Sequence, residues 1–296
     1  MHKKIHAEVL DDRRCILGES PTSYGPRNEK IMWVDILSKN LLCLDISNNS
    51  IGNYLTNEHV AFAIPRTQGG ELLGTNSGPI LRDPDGKLSK LPIENNFNLE
   101  RDFPNSRWND AKVSPFGDLW LGSMTYDIIP GKSALFTYSM NSRKIEIALP
   151  KVTISNGMAW SMSSNKFFYI DSYRGTVDSF RVSPDGNEIF NRKNFWRVDP
   201  SSGISPDGMT IDTEGGLWVA LWNGSRVIRL DERARITLEI ELPVSKVTSC
   251  CFADSNLDKL VITSASLDDN LNSKQSGMTF ICETGFTGIK TKLFPF

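Results

Sequence analysis

The chain has 296 residues, and its 33 Lys and Arg side chains nearly balance 35 Asp and Glu, which gives a formal net charge of −2. This balance argues against a protein that binds nucleic acid or an anionic membrane surface, because such contacts need a clustered basic excess. With 39% hydrophobic and 23% charged residues, the composition is that of an ordinary globular protein and excludes a mainly disordered chain.

The N-terminal segment HKKIHAEVLDDRR is charged and lacks the apolar core of a signal peptide, and no later stretch is an apolar run of membrane-spanning length. The five cysteines show no C-x-x-C spacing, which indicates neither a disulfide framework nor a zinc ribbon. The motifs of zinc proteases, serine hydrolases and nucleotide-binding loops are also missing. We therefore expect a cytoplasmic protein whose chemistry relies on carboxylates, amides, arginine or a metal.

A short apolar strand preceded by a polar turn recurs six times, with 40 to 49 residues between equivalent positions. The equivalent positions are Trp33, Leu73, Trp120, Tyr169, Trp218 and Val261. This spacing is typical of a four-stranded propeller blade. The segments between these positions alternate polar with β-branched or aromatic residues, and none shows a sustained helical period.

The repeats predict an all-β protein, a six-bladed β-propeller that forms one domain over residues 1–296. Closing the ring protects strand edges that an open sheet would expose. We expect the N-terminal KKIHAEVL to pair near MTFICE and so to close the last blade. A β-sandwich is the competing interpretation, but it does not explain why the turn chemistry repeats together with the strands.

The strand that precedes each of these six positions contains one further position that is equivalent by repeat. These positions are Glu19, Val60, Asn109, Asn156, Asp207 and Thr248. The first strands of the blades line the central channel, so two carboxylates and two carboxamides would converge there. A buried carboxylate needs a partner, a proton or a cation. We therefore expect a central site for one divalent cation, and the oxygen-rich set suits Ca²⁺, Mg²⁺ or Mn²⁺ and is compatible with Zn²⁺.

Asn-Gly and Asp-Gly are also common hairpin turns, so Asn156-Gly157 and Asp207-Gly208 have a second interpretation as plain turns. The repeat register favours the site, because the S-P-D-G at 205–208 opens a first strand. The S-P-D-G at 183–186 lies outside that register and is predicted to be a hairpin turn, as is D-P-D-G at 83–86.

Five segments together resemble the SMP-30/gluconolactonase/regucalcin family, six-bladed propellers that hydrolyse sugar lactones with one divalent metal. The segments are LGESP, RWNDAKVSPFGDLWLGSM, ISNGMAWSMSSNKFFYIDS, SPDGMTIDTEGGLWVALWNGSRVIRL and LPVSKVTSCCFADSNLDKLVITSA, spread over residues 17 to 265. The resemblance implies that Glu19, Asn156 and Asp207 are the metal ligands. It also implies that Asp207 is the catalytic general base for a metal-bound water.

The same resemblance implies that Arg107 and Asn109 hold the substrate. After GSM the chain reads TYDII, where relatives often carry a Glu that binds sugar hydroxyls, and Asp127 would fill that role. The implied function is a gluconolactonase-type lactonase of carbohydrate metabolism. It would open a small sugar lactone such as gluconolactone to the aldonic acid, and act as a monomer or weak oligomer.

Two other functions stay open at this point. A propeller can bind calcium or a protein partner in a regulatory role, and the same metal site could act on organophosphates or aryl esters. The polar ring of first-strand positions favours an enzyme, because a scaffold has no need of it.

Several polar and aromatic residues also have purely structural interpretations. Arg107 by itself would be a surface salt-bridge residue, and His59 would be a loop residue near the channel mouth. The pair Cys250-Cys251 would be small buried residues. Packing between blades is expected of four tryptophans, Trp108, Trp160, Trp218 and Trp222.

Overall fold

The strands of the described residues form six sheets, of which five have four strands and one has five. The structure, a computed structural model, describes residues 2–163, 165–269 and 273–296. Each sheet is one blade, and the blades form a six-bladed β-propeller. Successive strands of a blade pair antiparallel, as short alternating strands joined by tight turns require.

The strands of each blade follow one another in chain order. The N-terminal segment forms β1 (Lys3–His6) and β2 (Glu8–Asp11). Blade 1 contains β3 (Gly18–Tyr24), β4 (Lys30–Asp35), β5 (Asn40–Asp45) and β6 (Ser50–Leu55). Blade 2 contains β7 (Val60–Pro65), β8 (Glu71–Thr75), β9 (Gly78–Arg82) and β10 (Leu88–Lys90). The short helix α1 (Leu99–Asp102) precedes blade 3, which contains β11 (Ser106–Val113), β12 (Leu119–Thr125), β13 (Ser133–Tyr138) and β14 (Ile145–Val152).

Blade 4 contains β15 (Ser155–Ser161), β16 (Lys166–Asp171), β17 (Thr176–Val182) and β18 (Ile189–Arg197), with a 3₁₀ turn at Ser172–Arg174. Blade 5 contains β19 (Ser205–Ile211), β20 (Leu217–Trp222), β21 (Arg226–Leu230) and β22 (Ile236–Glu241). Blade 6 contains β23 (Val247–Ala253), β24 (Lys259–Ser264) and β25 (Thr279–Glu283).

The first strands of the six blades surround the central axis. Each of β3, β7, β11, β15, β19 and β23 contacts the first strands of both neighbouring blades, and β23 contacts β3 to close the ring. The second strands lie just outside them and are covered on both faces. The six repeat-equivalent residues on these strands are fully buried: Trp33, Leu73, Trp120, Tyr169, Trp218 and Val261. The repeat period therefore identified the right strands.

The N-terminus closes the ring in a way that the sequence predicted only in part. Strand β2 pairs with β25, with Glu8 opposite Ile281, as expected for the last blade. The expectation that the whole KKIHAEVL segment pairs there is wrong, because β1 runs parallel to β22 of blade 5. The Nζ atom of Lys4 lies 2.6 Å from a carboxylate oxygen of Glu241, so acidic side chains on β22 hold the basic segment.

The C-terminal tail crosses from blade 6 to blade 2. It makes an isolated bridge between Gly288 and Asp212 and another between Phe294 and Arg66. The Phe294 side chain is fully buried in the core that blades 1 to 3 share. The tail therefore fastens three blades together. None of the helices in the described residues is long and apolar enough to cross a membrane.

Candidate metal centre and active site

A break in strand register marks the predicted site position in every blade. The pairing of each first strand with its second strand is interrupted at or next to that position, for example between Ser155 and Met158 and between Pro206 and Met209. A bulge of this kind bends the strand and turns a side chain away from the face it would otherwise occupy. The bulges therefore direct these side chains toward the centre of the ring.

One central cavity of about 250 Å³ brings most of the predicted site residues together. Its polar lining includes Glu19, Arg107, Asn109, Asn156 and Asp207. Val60 and Thr248, at the equivalent positions of blades 2 and 6, do not line the cavity. Val60 is buried and apolar, and the Thr248 hydroxyl bonds within blade 6 and to the carbonyl of Gly18. The cavity thus draws its polar groups from blades 1, 3, 4 and 5.

A chain of hydrogen bonds orients the amides of this site. Arg107 Nη1 donates a hydrogen bond to Asn109 Oδ1 at 2.8 Å, and Asn109 Nδ2 donates one to Asn156 Oδ1 at 3.0 Å. Asn156 Nδ2 in turn donates to the Ser172 hydroxyl at 2.8 Å, which donates to the carbonyl of Pro206 at 2.6 Å. These contacts fix the amide of Asn156, so its oxygen is presented on the side of Asn109.

The two carboxyl groups are held in an environment that disfavours their charge. Burial raises the pKa of Glu19 to about 8, with repulsion from the Asp110 carboxylate as the second cause. Burial also raises the pKa of Asp207 well above its usual range, and Glu19 and Asp110 add to the effect. Arg107 acts in the opposite direction on both groups, and burial lowers its own pKa. The site therefore carries an excess of buried negative charge whenever both acids ionise.

A divalent cation fits this donor set. Asp207 is 6% exposed, and its Oδ1 atom is buried without a hydrogen-bond partner. Such an atom costs stability unless a cation or a proton meets it. Glu19, Asn156 and Asp207 offer only oxygen atoms, which suits a hard cation. No group of three or more His, Cys, Asp or Glu side chains that could hold a metal ion occurs among residues 2–163, 165–269 and 273–296, so a cation here would need an amide oxygen such as that of Asn156 as well.

The interpretation of Asn156-Gly157 and Asp207-Gly208 as turns is wrong, because both pairs lie inside first strands. Close packing explains the glycines: a Cβ atom on Gly157 would lie 2.8 Å from the carbonyl oxygen of Asp207. The two sequences predicted to be turns are confirmed. They lie between paired strands, and Gly86 and Gly186 have φ values of 86° and 79°.

Asp127 is the predicted site residue that the structure leaves outside the cavity lining. It is exposed in the turn after β12, and the next residue, Ile128, lines the cavity instead. The repeat pattern defines the strand but not the path of the turn that follows it, so a choice between these two neighbours had no basis in spacing.

Arg107 is not a surface salt-bridge residue. It is 7% exposed and donates to the carbonyl of Trp108 and to Asn109. His59 lies in the loop between β6 and β7, with its Nδ1 atom 3.3 Å from the hydroxyl of Tyr126. This position agrees with a loop residue near the site.

The tryptophans divide into two groups. Trp108, Trp160 and Trp218 are buried and pack against other aromatic rings, as expected. Trp222, on blade 5, packs against the core of blades 1 to 3 as predicted, but it also lines the cavity. The Lys246 ammonium lies 4.9 Å from its ring centroid. Cys250 and Cys251 are buried as predicted.

Sequence reasoning missed two polar residues that act on the site. Ser172 accepts a hydrogen bond from Asn156 but lies in a 3₁₀ turn outside the repeat register. Asp110, one residue after the predicted Asn109, raises the pKa of both site carboxyls. Its position directly after Asn109, in the R-x-N-D segment, was the available signal.

A family model described as SMP-30/Gluconolactonase/LRE-like region matches residues 17–266 of the chain. The chain belongs to this family. Regucalcin from Gallus gallus is 32% identical to it over 305 aligned residues, covering 99% of this chain and 98% of that protein.

Two solved structures show that this member of the SMP-30/gluconolactonase family shares the propeller of its relatives over nearly its whole length. The structure of a luciferin-regenerating enzyme is 25% identical, has a TM-score of 0.89, and covers 98% of this chain and 99% of that one. Regucalcin from Agrobacterium tumefaciens, described as a calcium-binding protein, has a TM-score of 0.89 at 22% identity, covering 99% of both chains. At that identity the second likeness shows the fold alone.

Proposed function

We propose that this protein is a divalent-metal-dependent lactonase, which adds water to the carbonyl of a cyclic ester and releases the hydroxy acid. Family membership supports a lactonase-type function, and sugar lactones such as gluconolactone are the class that the resemblance implies. One observation carries the proposal: Glu19, Asn156 and the unpaired Oδ1 atom of Asp207 line the same cavity as Arg107.

Glu19, Asn156 and Asp207 would hold the metal. When bound there, the cation would polarise the ester carbonyl and lower the pKa of a water molecule. Asp207 would also act as the general base, with a carboxylate oxygen that accepts the proton of the attacking water. That proton then passes to the leaving ring oxygen, which becomes the hydroxyl of the product. Mass and charge balance, because one water is consumed for each ester bond broken.

Arg107 and Asn109 would position the substrate. Both are more than nine-tenths buried, and the hydrogen bonds from Arg107 through Asn109 to Asn156 hold their side chains in place before substrate enters. Preorganised donors of this kind stabilise the negative charge that develops on the carbonyl oxygen. We expect the guanidinium, which has donors beyond those used for Asn109 and Trp108, to contact the ester or a neighbouring hydroxyl.

The test is hydrolysis by protein stripped of metal and then supplied with Ca²⁺, Mg²⁺, Mn²⁺ or Zn²⁺, followed by proton release on a panel of lactones. We expect metal to restore turnover in the wild type and not in Asp207→Ala. The chain provides a matched control, Asp185→Ala, which changes the aspartate of the other S-P-D-G sequence on an exposed hairpin.

Two results would overturn the proposal. Turnover that survives chelation or the Asp207→Ala change would remove the metal site from the reaction. Tight metal binding without turnover of any lactone, aryl ester or phosphotriester would favour the regulatory, calcium-binding alternative.

A further inference from the structure

The walls of the central cavity are largely apolar outside the polar groups already described. Six hydrophobic side chains line it: Leu17, Met124, Ile128, Ile154, Trp222 and Leu267. The cavity has an exposed end and a buried end, because Ile128 is 42% exposed whereas Asp207 is 6% exposed. A molecule that enters therefore passes apolar side chains before its ester reaches the carboxylates.

Apart from Arg107, Ser205 and the groups around Asp207, the lining residues that the structure describes offer no polar side chain to a hydroxyl-rich substrate. Asp127 lies outside the lining, and Glu19 and Asp207 are the only carboxylates among the described lining residues. The Ser172 hydroxyl already donates to Pro206 and accepts from Asn156. A polyhydroxylated chain placed against such walls would lose hydrogen bonds to water without replacing them, whereas an alkyl group would gain by leaving water.

Ile128 has an unusual backbone conformation for its residue type. Its φ is 53°, in the left-handed region that glycine and asparagine adopt readily and that is strained for a β-branched residue. The strained residue is the one that lines the cavity, while its neighbours Asp127 and Ile129 do not. Strain of this kind at a ligand site points to a use for the side chain.

We infer that the preferred substrate is a lactone whose ring carries an apolar substituent, and that Ile128 contacts this substituent. This inference rests on the proposed lactonase function and specifies its substrate class. It assigns the ester to the polar residues around Asp207, and the substituent to the apolar wall that includes Ile128 and Trp222.

The experiment compares three lactones with the same six-membered ring on metal-loaded protein. They are δ-valerolactone, which has no substituent, δ-decalactone, which has a five-carbon chain, and δ-gluconolactone. We expect kcat/KM for δ-decalactone to exceed the values for the other two by about tenfold or more, as burial of a few methylene groups allows.

The variant Ile128→Asn removes the apolar contact and places at this φ a residue that tolerates it, so the fold is not put at risk. We expect it to lower the ratio of decalactone to valerolactone kcat/KM about tenfold, because only decalactone carries the substituent that Ile128 contacts. Ile129→Asn is the matched control, because Ile129 is 41% exposed and lines an outer groove rather than the cavity. It should leave the ratio unchanged.

The outcomes separate the two proposals. If no lactone is turned over with any metal, the lactonase proposal fails and the inference fails with it. If δ-gluconolactone or δ-valerolactone is hydrolysed as well as δ-decalactone, the lactonase proposal stands and the inference is overturned. Equal loss in Ile128→Asn and Ile129→Asn would overturn the role assigned to Ile128.

Discussion

Raising the pH should destabilise the metal-free protein, because the fold buries a carboxyl that resists ionisation. The pKa of Glu19 is raised from 4.5 to about 8, chiefly by burial. Between these two values the folded state keeps a proton that the unfolded state has released. The folded state then binds more protons, so the free energy of unfolding falls as pH rises through this window.

The size of the effect follows from the same two pKa values. The full difference, from 4.5 to about 8, corresponds to on the order of 5 kcal/mol, most of which develops between pH 5 and pH 8. A typical domain has about 5–15 kcal/mol in total, so the change is measurable. A cation at 1,000 times its dissociation constant would restore about 4 kcal/mol.

Urea unfolding of chelator-treated protein at several pH values checks this, with the same series repeated in excess Ca²⁺. We expect a lower free energy of unfolding at pH 8 than at pH 5 without metal, and a much smaller difference with metal. Glu19→Gln should reduce the pH dependence of the metal-free series, because it removes one titrating group and one cause of the raised pKa of Asp207. A metal-free series that is flat or rises toward pH 8 would refute the reasoning.

Three further substitutions test how the fold supports the site. Gly157→Ala places a methyl group 2.8 Å from the carbonyl oxygen of Asp207, so calorimetry should show at least about tenfold weaker metal binding. Asp212→Asn weakens a buried ion pair with Arg229, whose Nε lies 2.7 Å from the carboxylate, and should lower the free energy of unfolding by about 3 kcal/mol in urea. Phe294→Ala empties a fully buried position under the C-terminal tail and should cost about 3–5 kcal/mol in the same assay.

The fold was predictable because each blade repeats the same physical solution. A polar turn, a bulged first strand and a fully buried second strand recur in register, so spacing alone identified Trp33, Trp120 and Trp218 as equivalent. The parallel pairing of β1 with β22 was not predictable, because a parallel partner leaves no local turn signal in the sequence. The C-terminal tail, which belongs to no repeat, gave no signal for the burial of Phe294.

The candidate site was predictable where it follows the repeat and not where it depends on turns. Glu19, Asn109, Asn156 and Asp207 share the bulge position, and the fold carries all of them into one cavity. The wall residue Ile128 comes from a turn whose path depends on tertiary packing. The choice between it and Asp127 needed coordinates, because neighbouring residues in a turn point in different directions.

The position of the carboxylates in the ring connects metal binding to ring closure. Glu19 belongs to blade 1 and Asp207 to blade 5, and blade 6, which β2 completes, lies between them. When both acids ionise, their repulsion acts across the blade in which β2, from the N-terminal segment, pairs with β25. A cation held by both would convert that repulsion into attraction between blades 1 and 5. Metal should therefore slow hydrogen exchange in β2 and β25 more than in blade 2, which contributes no polar residue to the cavity. Uniform protection of all blades would show that the metal acts only on the global stability of the ring.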